Sequence, residues 1–197
     1  MIWRTRYTRS DLTLANLFTF TRIVLIPIFG WLWLRGDGAA ALWIFAIAVA
    51  TDVIDGFLAR WLDQRSSLGA LLDPIADKLL VFVALIVGTL RREIPPWLTV
   101  VIVGRDAVLA VGALLFSTRW RHRHGPDAWR PTRLGKYAMA LQSATIGLVI
   151  IWSTLGLSAL RDYARVAMLL TSVLTLTAGV QYTLRAARAL RLTKELA

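Results

Sequence analysis

Six apolar runs, near residues 17–35, 40–60, 69–90, 96–117, 135–155 and 164–184, follow one another with short polar breaks between them. Each approaches the ~20 residues that an α-helix needs to cross about 30 Å of hydrocarbon. Lipid offers the backbone no hydrogen bonds, so such runs must satisfy their own N–H and C=O groups, and they do so as helices. Composition agrees: 57% of the 197 residues are hydrophobic, nine are Trp, and mean hydropathy is +0.59. The expected fold is an all-α integral membrane protein of six transmembrane helices in a single domain, residues 1–197. Pro27, Pro74 and Pro96 fall in or at the start of these runs, where proline kinks a membrane helix rather than ending it.

The first fifteen residues interleave Trp3 and Tyr7 with Arg4, Arg6 and Arg9, a mixture suited to an N-terminal segment lying at the membrane interface. No small-residue cleavage site precedes the first run, so no cleavable leader is expected. Fifteen basic residues fall in the N-terminus, the second and fourth loops and the C-tail, against five in the opposite loops. The positive-inside rule then places both termini in the cytoplasm. A net charge of +11 also invites a nucleic-acid reading. The arginines sit in short loops beside the runs, however, and topology with attraction to anionic head groups accounts for them. With no Cys, disulfide and thiolate chemistry are excluded. His122 and His124 are two apart, share no helical face, and suggest no metal site.

Against this apolar background stand four carboxylates, Asp52, Asp55, Asp73 and Asp77. Three apart in one helix and four apart in the next, each pair projects from one face. Arg60 to Ser67 form a short polar connection that lets the two helices pack antiparallel and gathers the four groups. Buried carboxylates repel one another and cost several kcal/mol each, so a positive partner is required. Oxygen donors without Cys or a flanking His favour hard divalent cations, Mg²⁺ or Mn²⁺, and four carboxylates suffice for two ions. Paired hard cations serve phosphoryl-group chemistry above all. Gly56 and Gly69 leave room beside the acidic face, and Arg60 offers a bidentate phosphate donor.

Asp52, Asp55, Gly56, Ala59, Arg60, Gly69, Asp73 and Asp77 fill the pattern DxxDGxxARx8GxxxDxxxD without a departure, and by it the chain resembles the CDP-alcohol phosphatidyltransferases. The resemblance implies a CDP-linked lipid donor, normally CDP-diacylglycerol, with CMP released. Asp52, Asp55 and Asp73 would hold the metals, Asp77 would be a further ligand and the general base, and Gly56, Ala59, Arg60 and Gly69 would bind or make room for the CDP group. Asn16, Thr19 and Arg22 share one face of the first helix and resemble the family's NxxTxxR, which implies a nucleotide contact for Asn16 and Thr19; Ala15 stands where a proline is common. A snorkelling Arg22 is the alternative.

Arg105 and Asp106 lie inside the fourth run, where an internal ion pair is one reading. The resemblance implies another, with Arg105 and Lys136 holding the phosphate of the acceptor. Glycerol 3-phosphate, giving phosphatidylglycerophosphate, then leads as acceptor. Phosphatidylglycerol, giving cardiolipin, is the alternative, and inositol phosphate the third. A divalent-cation transporter using the acidic quartet is a remote alternative. Lys78 is expected to compensate charge, and a homodimer is implied by resemblance.

Overall fold

A computed structural model describes residues 14–61, 67–120 and 132–195, which form six α-helices and, among these residues, no strand. They are α1 (Leu14–Arg35), α2 (Gly38–Trp61), α3 (Ser67–Leu90), α4 (Pro96–Trp120), α5 (Arg133–Leu155) and α6 (Ser158–Glu195). At ~1.5 Å per residue, even the 22 residues of α1 are long enough to cross a bilayer. Helix α1 runs unbroken through Pro27, and Pro96 opens α4, where its missing N–H is no loss.

Two helix ends use the same device. Gly36, at φ 91°, donates to the Trp33 carbonyl at 3.0 Å, while Asp37 N donates to the Leu32 carbonyl at 3.1 Å. These bonds close α1 in a left-handed turn that glycine adopts freely. Asp37 then starts α2, its carboxylate accepting from Ala40 N at 3.1 Å. At the end of α3 Arg92 occupies the corresponding position at φ 61°, with Glu93 N donating to the Gly88 carbonyl at 2.9 Å.

The helices fall into two compact units. One comprises α1, α2, α3 and Ile146–Leu157, which is the end of α5 and the two residues after it; the other comprises α4, the first part of α5 and α6. In the first, Ile26, Phe29 and Trp33 of α1 are buried at helical spacing, and the Phe29 ring lies 5.6 Å from those of both Trp33 and Phe45. Gly30 allows close approach of α1 and α3, since a Cβ there would lie 2.7 Å from Val83 Cγ1. Beyond Gly36, Arg91 ties α3 to the end of α1, donating to the Trp33 carbonyl at 2.7 Å and to Glu93 at 2.8 Å.

In the second unit α5 and α6 share polar contacts. Gln142 Nε2 donates to Thr175 Oγ1 at 3.0 Å, and the hydroxyls of Thr145 and Thr171 lie 2.7 Å apart, all four side chains buried. Meanwhile Leu17, Val24, Trp43, Val100, Val173 and Leu176 are exposed. Hydroxyls inside and large apolar side chains outside is the pattern of helices surrounded by hydrocarbon.

Among the described residues two segments, Leu134–Leu155 and Ser158–Arg185, are long and apolar enough to cross a membrane, and α2 contributes a shorter apolar stretch, Gly38–Thr51. Helices α1, α3 and α4 carry ionisable groups within their apolar runs, at Arg22, at Asp77 and Lys78, and at Arg105 and Asp106. The sixth helix is longer than its apolar run: it begins at Ser158 and continues through the basic tail to Glu195. Leu, Ala and Arg there are strong helix formers, so the helix outlasts the hydrophobicity. The interfacial segment expected before α1, the connection around Arg65, and His122 and His124 lie outside the described residues.

Candidate functional site

The first unit joins the polar face of α1 to the acidic face of α3. Thr19 and Arg22, one turn apart, are fully buried. Arg22 Nη1 donates to Asp77 Oδ1 at 2.6 Å. This pair decides between the two readings of Arg22: its side chain is 0% exposed and turned inward, whereas a snorkelling arginine would carry its charge to the interface. A buried guanidinium requires an anion, and the one it meets is a carboxylate of the acidic string, 55 residues away in sequence.

Asp77 itself is 31% exposed, so the ion pair orients it without sealing it from a ligand. Asp73 precedes it by one turn on α3, and Asp52 and Asp55 lie on α2. The side chains of Asp52, Asp55, Arg60 and Asp73, with those of Asn16, Gly56, Ala59 and Gly69, lie outside the described residues. Lys78, next to Asp77, is exposed. The donor set on these two helices consists of carboxylate oxygens alone, which suits a hard cation and not a soft one.

The second unit holds the two basic residues. Arg105, on α4, is nine-tenths buried and donates through Nη1 to Asp106 Oδ1 at 2.6 Å, so the internal pair read from the sequence is present. Its guanidinium carbon also lies 5.8 Å from the centre of the Tyr182 ring, within range of a cation–π contact. Arg105 Nε is buried without a hydrogen-bond partner. A Cβ at Gly179, one turn before Tyr182, would lie 3.2 Å from Arg105 Cγ, so glycine clears the path for that side chain.

Lys136 is exposed in the first turn of α5. Thr132 caps that turn: its Oγ1 accepts from Gly135 N at 3.0 Å and its carbonyl accepts from Lys136 N at 3.1 Å. Thr132 N in turn donates to the Tyr182 hydroxyl at 2.8 Å. Arg105 and the cap that carries Lys136 thus meet on opposite features of one side chain, Tyr182. Thr132, ahead of an apolar run, was a readable helix start. Tyr182 and Gly179 left no signal, because nothing in α6 alone says which helices their face meets.

The profile of the family described as CDP-alcohol phosphatidyltransferase matches residues 12–177. The chain is 37% identical over 186 residues to the CDP-diacylglycerol–glycerol-3-phosphate 3-phosphatidyltransferase of Pseudomonas fluorescens, covering 89% of this chain and 90% of that one. It is 35% identical over 182 residues to a probable phosphatidylglycerophosphate synthase of Mycobacterium tuberculosis, covering 89% and 82%. With the cardiolipin synthase (CMP-forming) of Rattus norvegicus identity reaches 46%, over 110 residues that are 55% of this chain and 36% of the relative. The chain therefore spans little more than a third of the length of that synthase. An acidic string complete at every position, inside a family domain that covers most of the chain, and two relatives matched over nearly their whole length make this chain a member of the CDP-alcohol phosphatidyltransferase family.

Proposed function

We propose that this chain is a CDP-diacylglycerol-dependent phosphatidyltransferase of phospholipid biosynthesis, with glycerol 3-phosphate as acceptor and phosphatidylglycerophosphate and CMP as products. The observation that carries this reading is the unbroken string from Asp52 to Asp77. The long matches to relatives named for glycerol 3-phosphate chemistry support the acceptor. The higher identity over a shorter stretch to a cardiolipin synthase favours a second reading, phosphatidylglycerol as acceptor and cardiolipin as product.

Asp52, Asp55, Asp73 and Asp77 are the residues that would hold Mg²⁺ or Mn²⁺, in two ions. Bound there, such ions neutralise pyrophosphate charge and stabilise the leaving CMP. Arg60 holds a donor phosphate, Gly56, Ala59 and Gly69 make room for the CDP group, and Asn16 faces the nucleotide from the same helical face as the buried Thr19. Arg105 and Lys136 hold the acceptor's phosphate. Asp77 takes the proton from the acceptor hydroxyl as its oxygen forms the new ester bond to the lipid-bearing phosphorus, and the bond from that phosphorus to CMP breaks. Arg22 keeps the Asp77 carboxylate turned toward the site during this step.

The chain spans the membrane six times, with both termini and the loop between α2 and α3 in the cytoplasm, as the bias of basic residues supports. A soluble acceptor then reaches the acidic face from the cytoplasm while the lipid donor enters from the leaflet. It acts as a homodimer, and crosslinking in native membranes that yields only monomer refutes that part. The test of the activity is CMP release by purified protein given CDP-diacylglycerol and Mg²⁺ or Mn²⁺, with glycerol 3-phosphate, phosphatidylglycerol or inositol phosphate as acceptor. Release with glycerol 3-phosphate alone is expected. Release with phosphatidylglycerol alone establishes the second reading, and folded protein that releases CMP with none of the three overturns both.

A further inference from the structure

We infer that Tyr182 is a positioning residue for acceptor recognition, setting Arg105 and Lys136 against each other through one aromatic side chain. The inference rests on the proposed role of those two cations as the acceptor-phosphate pocket. Three observations within the second unit carry it. The ring face of Tyr182 lies 5.8 Å from the Arg105 guanidinium carbon. Its hydroxyl accepts from Thr132 N at 2.8 Å, and Thr132 is the cap of the helix turn that bears Lys136. Two glycines make the arrangement possible: a Cβ at Gly135 would lie 3.2 Å from the Tyr182 hydroxyl, and one at Gly179 would lie 3.2 Å from Arg105 Cγ.

Each contact does something the cations cannot do for themselves. Arg105 has Asp106 as its ion-pair partner, but a neighbour in sequence moves with the same helix turn and does not fix the guanidinium against another helix. The tyrosine ring on α6 does. Lys136 is exposed on a flexible stem, and its reach is set by where its helix begins. The Tyr182 hydroxyl ties down the backbone at that beginning. A phosphate held by both cations needs them at one separation, and Tyr182 is the group in contact with both supports. It does not touch the reacting atoms in this scheme, so its loss should weaken acceptor binding and leave the chemical step to Asp77.

The experiment is steady-state kinetics of CMP release by the full chain in lipid nanodiscs, with acceptor and donor varied separately, for the parent and for Arg105→Gln, Lys136→Gln, Tyr182→Phe and the double variant K136Q/Y182F. Tyr182→Phe keeps the ring beneath Arg105 and removes only the bond to Thr132. It is expected to raise the acceptor KM roughly five- to tenfold, the range of one lost hydrogen bond. The donor KM and kcat should stay within about twofold of the parent, well below a lost hydrogen bond. Since Tyr182 acts on Lys136 through the cap, the double variant should bind acceptor no worse than Lys136→Gln alone. An unchanged acceptor KM in Tyr182→Phe overturns the inference, as does an equal rise in both KM values with a lowered melting temperature, or multiplicative effects in the double variant. If Arg105→Gln and Lys136→Gln themselves leave the acceptor KM unchanged, the pocket reading has failed and the inference falls with it. If they raise it and Tyr182→Phe does not, the pocket stands and only the role of Tyr182 is lost.

Discussion

Two buried arginines, one in each unit, solve the same problem in opposite ways. Arg22 finds its carboxylate on another helix, at Asp77, 55 residues away. Arg105 finds its carboxylate next door, at Asp106, and uses a second helix only through the ring of Tyr182 and the gap left by Gly179. In apolar surroundings both need a counter-charge, because an isolated buried guanidinium is expensive. The long-range pair joins helices and fixes the carboxylate proposed as the general base. The local pair neutralises charge but leaves orientation to neighbours. Breaking the first should therefore damage fold and chemistry together, whereas neutralising both members of the second should act on ligand binding with little damage to the fold.

The largest effect is expected from Asp77→Asn, which keeps a hydrogen-bond acceptor for Arg22 but removes its counter-charge together with the proposed base. CMP release should fall by a factor of about 10² to 10⁴, the usual contribution of general base catalysis, and the melting temperature should fall as well, because Asn leaves the buried Arg22 guanidinium without a counter-charge; activity is therefore compared at a temperature where the variant is still folded. Near-full activity under saturating metal would show that Asp77 is not the base. Next in size is Arg22→Gln, which strips a partly buried carboxylate of its cation. A loss of about 3 kcal/mol, toward the low end for broken buried pairs because Asp77 is 31% exposed, should appear as reduced stability in a denaturant titration in micelles, with activity falling in parallel. If Arg22→Gln is as stable as the parent, the pair does not join α1 to α3 in the way described.

The double variant Arg105→Gln/Asp106→Asn, which leaves no unpaired carboxylate, should raise the acceptor KM by roughly ten- to a hundredfold, as expected for a lost charged hydrogen bond, while stability changes little. A stability loss as large as that of Arg22→Gln would erase the contrast between the pairs. The smallest effect is expected at the exposed pair Arg165–Asp162, separated by 3.3 Å. Arg165→Gln should change stability by less than about 0.5 kcal/mol. A larger change would show that exposed ion pairs in α6 contribute as the buried ones do.

The helices were readable wherever an apolar run existed, because hydrocarbon length and backbone satisfaction leave few other outcomes. Their ends were less readable. Hydropathy stops near residue 184 while α6 continues to Glu195, since helix propensity does not require apolar side chains. Gly36 and Arg92 both end helices in a left-handed turn, yet only the glycine announces it. For the site, the acidic string was legible because its spacings, three and four, are helical periods in one segment. Arg22 was visible as a residue on the right face but not as the partner of Asp77, and Tyr182 was not visible at all.

By itself, then, the sequence determined what depends on neighbours along the chain: helices from apolar runs, acidic faces from helical spacing, a hard-cation donor set from residue chemistry, and the family from eight residues at set intervals. Tertiary structure alone decided which charge meets which. That Arg22 turns inward to Asp77, that Arg105 lies over a tyrosine, and that the same tyrosine holds the first turn of α5 all depend on contacts between helices distant in sequence. Such contacts follow from how whole helix faces pack, and glycines such as Gly135 and Gly179 set how closely they approach.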